Sequence, residues 1–229
     1  MQNGGARLAV RSALGMMQTL VAMGAVLFLS AWSLRYWQAW VFLGVFGAAV
    51  APITFYLLQH DPALLRRRLK AGPAGEKEKA QKIIQAFASV VFLGFFVVAG
   101  FDHRLSWSRI SVPLVLGGDT IVVLGLLLVF FVFKENSFTS ATIEVTEAQR
   151  VVTTGPYRVL RHPMYSGALL MLIGVPLALG SMWAMLFVIP MIAVLVFRLR
   201  DEERFLSVHL PGYPEYCERA HFRLIPWIY

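Results

Sequence analysis

Apolar residues gather in runs of about twenty along this chain, separated by short polar segments. Residues 12–34 stay apolar after Arg7 and Arg11, through MMQTLVAMGAVLFLSAW, and residues 37–58 follow after only Arg35 and Tyr36. The stretches 83–101 and 110–133 are comparable, and Asp119 is the one charged residue in the second. A bilayer core of about 30 Å needs a helix of about 20 apolar residues, so each run predicts a spanning helix. Two shorter runs, 164–180 and 182–199, are parted by Gly180 and Ser181 and predict a tight helical hairpin. Each lies near the lower limit of about 17 residues for a straight crossing, and Gly174 and Pro176 bend or stop the first. The expected fold is an all-α polytopic membrane protein with five to six transmembrane helices and a C-terminal helical hairpin.

Composition supports the membrane over the soluble alternative. Of 229 residues, 58% are hydrophobic and 15% charged, against roughly 25% charged in soluble domains. A disulfide-built module is excluded because Cys217 is the single cysteine. The net charge of +8 is segregated into loops: in a six-span arrangement every Lys and Arg except Arg35, Arg104 and Arg109 falls on one side. By the positive-inside rule that side is the cytoplasm, with both termini there. The excess is therefore an orientation signal, and no nucleic-acid partner is expected. The compact size points to a bacterial inner membrane. In HDPALLRRRLK, Leu64, Leu65 and Leu69 share a helical face while the arginines can reach lipid phosphates; a generic positive loop is the plainer account. Gly24, Gly44 and Gly47 permit close helix packing, and the oligomeric state is left open.

Three polar segments, 60–82, 134–163 and 198–229, hold the chemistry. In KENSFTSATIEVTEAQRVVTTGPYRVLRHP, the alternation from Thr142 to Val145, followed by Arg150 to Thr154, predicts extended backbone, and Gly155-Pro156 predicts a turn. His162 precedes Pro163, so a helix starts at Pro163 or Met164. The first-turn amides near Met164, Tyr165 and Ser166 are expected to be open to an anion, and His162 and Tyr165 supply polar groups beside them. At the far end of the hairpin, Arg198 and Glu202 stand four apart on one face. They read either as a rim salt bridge or as a charged pair facing a ligand. The histidines His60, His103, His162, His209 and His221 have no metal-ligand spacing, so no metal is expected. Neither GxGxxG nor GxxxxGK is present.

GPYRVLRHPMYSG, then the hairpin, an RxxxE element and the tail LPGYPEYCERAHFRLIPW together resemble the isoprenylcysteine carboxyl methyltransferase family and, more distantly, the membrane phospholipid methyltransferases. The resemblance covers about 134–229. It divides the chain into an N-terminal four-helix membrane region, 1–133, and a methyltransferase core, 134–229, with the RHPxY loop, hairpin and tail. It implies an enzyme using S-adenosyl-L-methionine without a soluble Rossmann domain. It places Gln149, Arg150, Val151, Val152, Tyr157, His162, Pro163, Met164, Tyr165 and Glu202 at the cofactor, and Arg198 at the carboxylate of the methyl acceptor. Gly212, Tyr213 and Tyr216 would close a cytoplasmic cofactor cap, with Arg223 and Pro226 structural.

The acceptor implied is lipophilic, the carboxylate of an isoprenylcysteine-like or other prenyl amphiphile; a phospholipid amine is the alternative. A carboxylate needs no base, whereas an amine or thiol must lose a proton, for which Glu203 or a nearby water is the candidate. The first four runs match no motif and leave the acceptor open. Two readings from other classes stand beside this one: a non-catalytic membrane scaffold of the same fold, and a membrane reductase, which would need a nicotinamide site.

Overall fold

The computed structural model describes residues 2–69, 79–139 and 149–229. The first expected extended stretch, 142–145, and Lys70 and Lys77 among the basic residues, lie outside these. Among the described residues eight helices run in order: α1 Gln2–Ala31, α2 Trp37–His60, α3 Pro62–Arg68, α4 Lys79–Leu105, α5 Val112–Glu135, α6 Pro163–Ala178, α7 Val188–His209 and α8 Tyr213–Arg219. Short 3-10 turns occupy Gly155–Arg158 and Ala184–Phe187. Among the described residues there is no strand, only a single parallel bridge between Leu160 and Phe222.

Four helical stretches, Gly5–Ala31, Trp37–His60, Gln81–Leu105 and Val112–Glu135, are long and apolar enough to cross a bilayer. They coincide with the four long runs of the sequence. The hairpin differs in its dimensions. α6 has 16 residues, about 24 Å at 1.5 Å per residue, and ends two residues after Pro176. α7 begins at Val188 rather than at 182 because the intervening residues turn back first. The Ser181 hydroxyl accepts the Ala184 amide at 3.0 Å and donates to Asp102 at 2.5 Å. Asp102, 1% exposed, also accepts the amide and hydroxyl of Ser108 at 2.6 and 2.7 Å. The Tyr36 hydroxyl donates to the Leu179 carbonyl at 2.6 Å, satisfying the end of α6. This polar knot fixes the hairpin turn to the α4–α5 connection.

The most extensive helix interface joins α5 to α6. It is antiparallel and lined by glycine on both sides. A Cβ on Gly125 would stand 2.7 Å from the Gly167 carbonyl oxygen, and one on Gly167 would stand 2.8 Å from that of Gly125. Two turns away, a Cβ on Gly174 would meet the Gly118 carbonyl oxygen at 2.8 Å. Backbones in direct contact leave no side chain to yield. The glycines singled out by the sequence are looser: Gly24 and Gly47 each have a leucine methyl 3.3 Å from a built Cβ, and Gly44 has nothing within 4 Å.

Two neighbouring glycines on α5 test this packing. A Cβ on Gly118 falls onto the backbone of Leu177 and Ala178, whereas one on Gly117 has nothing within 4 Å. Gly118→Ala is expected to lower stability by about 1–3 kcal/mol through overpacking. Gly117→Ala is expected to be neutral or to gain up to about 1 kcal/mol from helix propensity. Thermal unfolding in detergent, followed by tryptophan fluorescence, distinguishes them; equal effects would contradict the close approach.

Candidate functional site

The close α5–α6 contact brings the end of α5 beside the start of α6, and the site is built there. Asn136 terminates α5, and its amide donates to the Tyr157 hydroxyl at 3.0 Å. Gly155 has φ +56° and its missing Cβ is replaced by the Glu135 side chain; Glu135 also accepts the Thr154 hydroxyl at 2.8 Å. Glycine is thus required both by the left-handed backbone and by the space. The turn delivers Tyr157 inward, where the Tyr216 hydroxyl donates to the Tyr157 and Leu160 carbonyls at 2.8 and 3.1 Å. Burial pushes the phenols of Tyr157 and Tyr216 above their ordinary range.

The chain then pairs with its own distal segment. The amides of Arg161 and His162 donate to the carbonyls of Phe222 and Arg223 at 2.9 and 3.1 Å, and Ser166 donates to the Leu224 carbonyl at 2.6 Å. His162 stands at the N-cap of α6 with φ −127° and ψ 61°, outside the helical region that a following proline disfavours. The expected set of open amides at this helix start is corrected: those of Tyr165 and Ser166 both donate to the His162 carbonyl, at 3.0 and 3.2 Å. A 3-10 first turn consumes one donor that an ideal α-helix leaves open.

These elements enclose a cleft with about 870 Å3 of empty space, counted out to its open mouth. Gln149, Arg150, Val151, Val152, Tyr157, His162, Pro163, Met164, Tyr165, Arg198 and Glu202 all line it. Tyr165 donates to Glu202 at 2.6 Å, and Arg198 donates to the Gln81 side-chain carbonyl at 2.9 Å. The Gln81 amide in turn donates to Asp201, so Asp201 is engaged in positioning the arginine rather than lying loose on the surface. Among the described residues, two of those lining the cleft carry a buried polar atom with no hydrogen bond, the Tyr213 hydroxyl and His162 Nε2.

Glu203 stands elsewhere, and its expected role as a base is corrected. It is one residue from Glu202, so it leaves the helix about 100° around and faces the distal segment. Arg161 reaches it at 3.2 Å and Arg223 at 2.9 Å. His162 Nε2 lies 3.4 Å away, near enough for ion pairing but without hydrogen-bond geometry. Burial raises the Glu203 pKa, but His162, Arg223 and Arg161 outweigh it and hold the carboxyl at about 2. A carboxylate so tightly held is a poor proton acceptor. Arg161 also donates to the Ala220 and Cys217 carbonyls at 2.6 and 2.7 Å, so its donors are engaged within the fold.

Sequence reasoning did not assign Asn136, Phe138, Thr139, Leu206 and Leu210 to this cleft, nor Gln81 to Arg198. Asn136 carried a signal as the first uncharged polar residue after the α5 run. Gln81 carried none, because it lies in a segment without a motif.

Residues 114–211 match the model of the phospholipid methyltransferase family, which bears out the family resemblance read from the sequence. The matched region takes in α5 as well as α6 and α7. The Delta(14)-sterol reductase of Mus musculus is 32% identical over 91 residues, 38% of this chain. The aligned part spans 22% of that protein's own length.

The Glu203 cluster has a pH signature. An acid held at about 2 instead of its usual 4.5 contributes stability that is complete above about pH 5 and lost as pH falls from there through 2. The contribution is on the order of 1–2 kcal/mol after solvent screening. Glu203→Gln should lower the melting temperature at pH 7 and flatten its dependence between pH 5 and 2. An unchanged acid slope in the variant would remove Glu203 from that role.

Proposed function

We propose that the protein transfers a methyl group from S-adenosyl-L-methionine to an amphiphile dissolved in the membrane, with the carboxylate of a prenyl or similar acid as the acceptor. The observation that carries this reading is the meeting of the RHPMY segment and the Arg198/Glu202 pair around one cleft. The lining fits the cofactor. Glu202 is an acceptor for an ammonium or a ribose hydroxyl, and Tyr157 and Tyr213 offer aromatic faces for a base. Val151, Val152, Leu206 and Leu210 supply apolar walls, and the unpaired Tyr213 hydroxyl is a further polar contact. When bound, the cofactor supplies a methyl already activated by its sulfonium.

The chain's own part is then positioning and exclusion of water, which account for much of the acceleration when the reacting group is already activated. Tyr165 fixes the orientation of Glu202 through the 2.6 Å bond. Arg198, braced by Gln81 at 2.9 Å, presents a guanidinium to the acceptor's anionic group. A carboxylate acceptor requires no proton removal, in keeping with Glu203 being engaged by two arginines and a histidine.

The family match favours a second reading, methylation of a phospholipid amine. There the amine must be deprotonated, and Glu202 is the acid in the cleft available to accept the proton. The likeness to a sterol reductase suggests a third activity, which would require a nicotinamide cofactor and a reduced product.

Calorimetry in lipid-supplemented micelles tests the cofactor: S-adenosyl-L-methionine is expected to bind, and Glu202→Gln to weaken it by about tenfold or more, the scale of a lost hydrogen bond to a charged group. No binding to the intact protein would overturn the reading. With methyl-labelled cofactor and membrane extract, a carboxyl ester releases label as methanol in alkali, whereas an N-methylated lipid retains it.

A further inference from the structure

α7 carries charge on two opposite sides. Arg198 and Glu202 line the cleft, and Arg200 and Arg204, each two residues further on, leave the helix about 200° around. They line a separate, open groove with Glu203, Ser207, Val208 and Arg223. On the same outward face, one to three turns earlier, stand Phe197, Ala193 and Ile189, all exposed, Phe197 at 65% and Ile189 at 69%. A helix face that changes within one turn from exposed apolar to basic marks the boundary between hydrocarbon and headgroups.

The distal turn of the chain stands at the same level. Arg200 Nε donates to the Tyr229 hydroxyl at 3.5 Å, and the Arg223 guanidinium carbon lies 5.4 Å from the Tyr229 ring centroid. The Tyr229 carbonyl accepts the amides of Arg223, Leu224 and Ile225 at 2.9, 2.8 and 3.0 Å, which closes residues 223–229 into a turn. Trp227, at φ +63°, and Ile228 project from it, 86% and 77% exposed. An indole held outward at such a boundary is an interfacial anchor.

The groove is basic on balance. Its lining holds three guanidiniums against one carboxylate, Glu203, which Arg161 also engages. Arg223 directs its Nε to Glu203. Arg200 and Arg204 are exposed, and among the described residues neither pairs with an acid. Two arginines one turn apart match phosphate oxygens with paired N–H donors. The apolar residues along α7 and on the distal turn match a ligand with hydrocarbon chains rather than a free ion.

We propose that the outward face of α7 and the turn 223–229 bind one anionic phospholipid of the adjoining leaflet. Its phosphodiester lies at Arg200 and Arg204, its chains run along Phe197, and Trp227 and Ile228 are seated at the interface nearby. None of these residues lines the cleft, so the site stands whether or not the protein transfers methyl groups. A headgroup there bridges the same two elements that Glu203 joins.

Quenching of Trp227 by brominated lipid in neutral detergent tests this, the Trp227 share being the part of the quenching that Trp227→Phe removes. An arginine near an anionic headgroup is worth about fivefold in affinity. Brominated phosphatidylglycerol is therefore expected to reach half-quenching at a mole fraction about tenfold or more below that of brominated phosphatidylcholine. Arg200→Gln/Arg204→Gln should bring the two lipids within about twofold of each other. Arg204→Gln alone, which leaves the Tyr229 contact in place, should cut the preference about threefold to fivefold and decides the matter if the double variant does not fold. Arg7→Gln/Arg11→Gln removes the same charge from α1 and should leave the preference within about twofold. Millimolar inorganic phosphate should not displace the lipid. The site is overturned by an equal response of wild type to the two lipids, or by a preference that survives loss of Arg200 and Arg204. Equal loss with Arg7→Gln/Arg11→Gln, or displacement by inorganic phosphate, overturns it as well.

Discussion

The backbone-to-backbone approach of α5 and α6 is the constraint on which the site depends. In a bilayer, apolar side chains gain little by leaving lipid for protein, so helices associate through close packing and the few polar bonds they can share. Gly118 and Gly125 opposite Gly174 and Gly167 give such packing over two turns. The end of α5, with Asn136, is thereby set against the start of α6, with His162 to Tyr165. Every later element of the cleft is referred to that corner.

The second organising feature is the division of labour between two adjacent acids. Glu202 turns to the cleft and receives Tyr165. Glu203 turns away and gathers Arg161, His162 and Arg223. The first lines the cleft, and the second ties α7, the RHPMY segment and the distal residues 220–224 into one body. Their separation on the helix, rather than their chemistry, decides which does which.

Much of this was legible in the sequence because the bilayer imposes lengths and because the polar residues fall in recognisable groups. The four long runs became four long helices, and Tyr157, His162, Tyr165, Arg198 and Glu202 came together at one cleft. What escaped the sequence depended on tertiary placement. Choosing between Glu202 and Glu203 required knowing which side of α7 faces α6. The glycines that mattered were those opposed across an interface, and Gly44, with equal local credentials, faces open space. Arg68 and Gln81 sit in segments whose local pattern says only basic loop and helix start, and their reach toward Met164 and Arg198 is a property of the packed molecule.

The geometry of α6 carries a mechanical implication. One end of this rod, about 24 Å long by its residue count, is moored by Tyr36 and the Asp102–Ser181–Ser108 knot, and the other carries Pro163, Met164 and Tyr165. Clamped along α5 where backbone meets backbone at the glycine contacts, it ties the placement of the cleft wall to the turn at Ser181, at the opposite end of the same element.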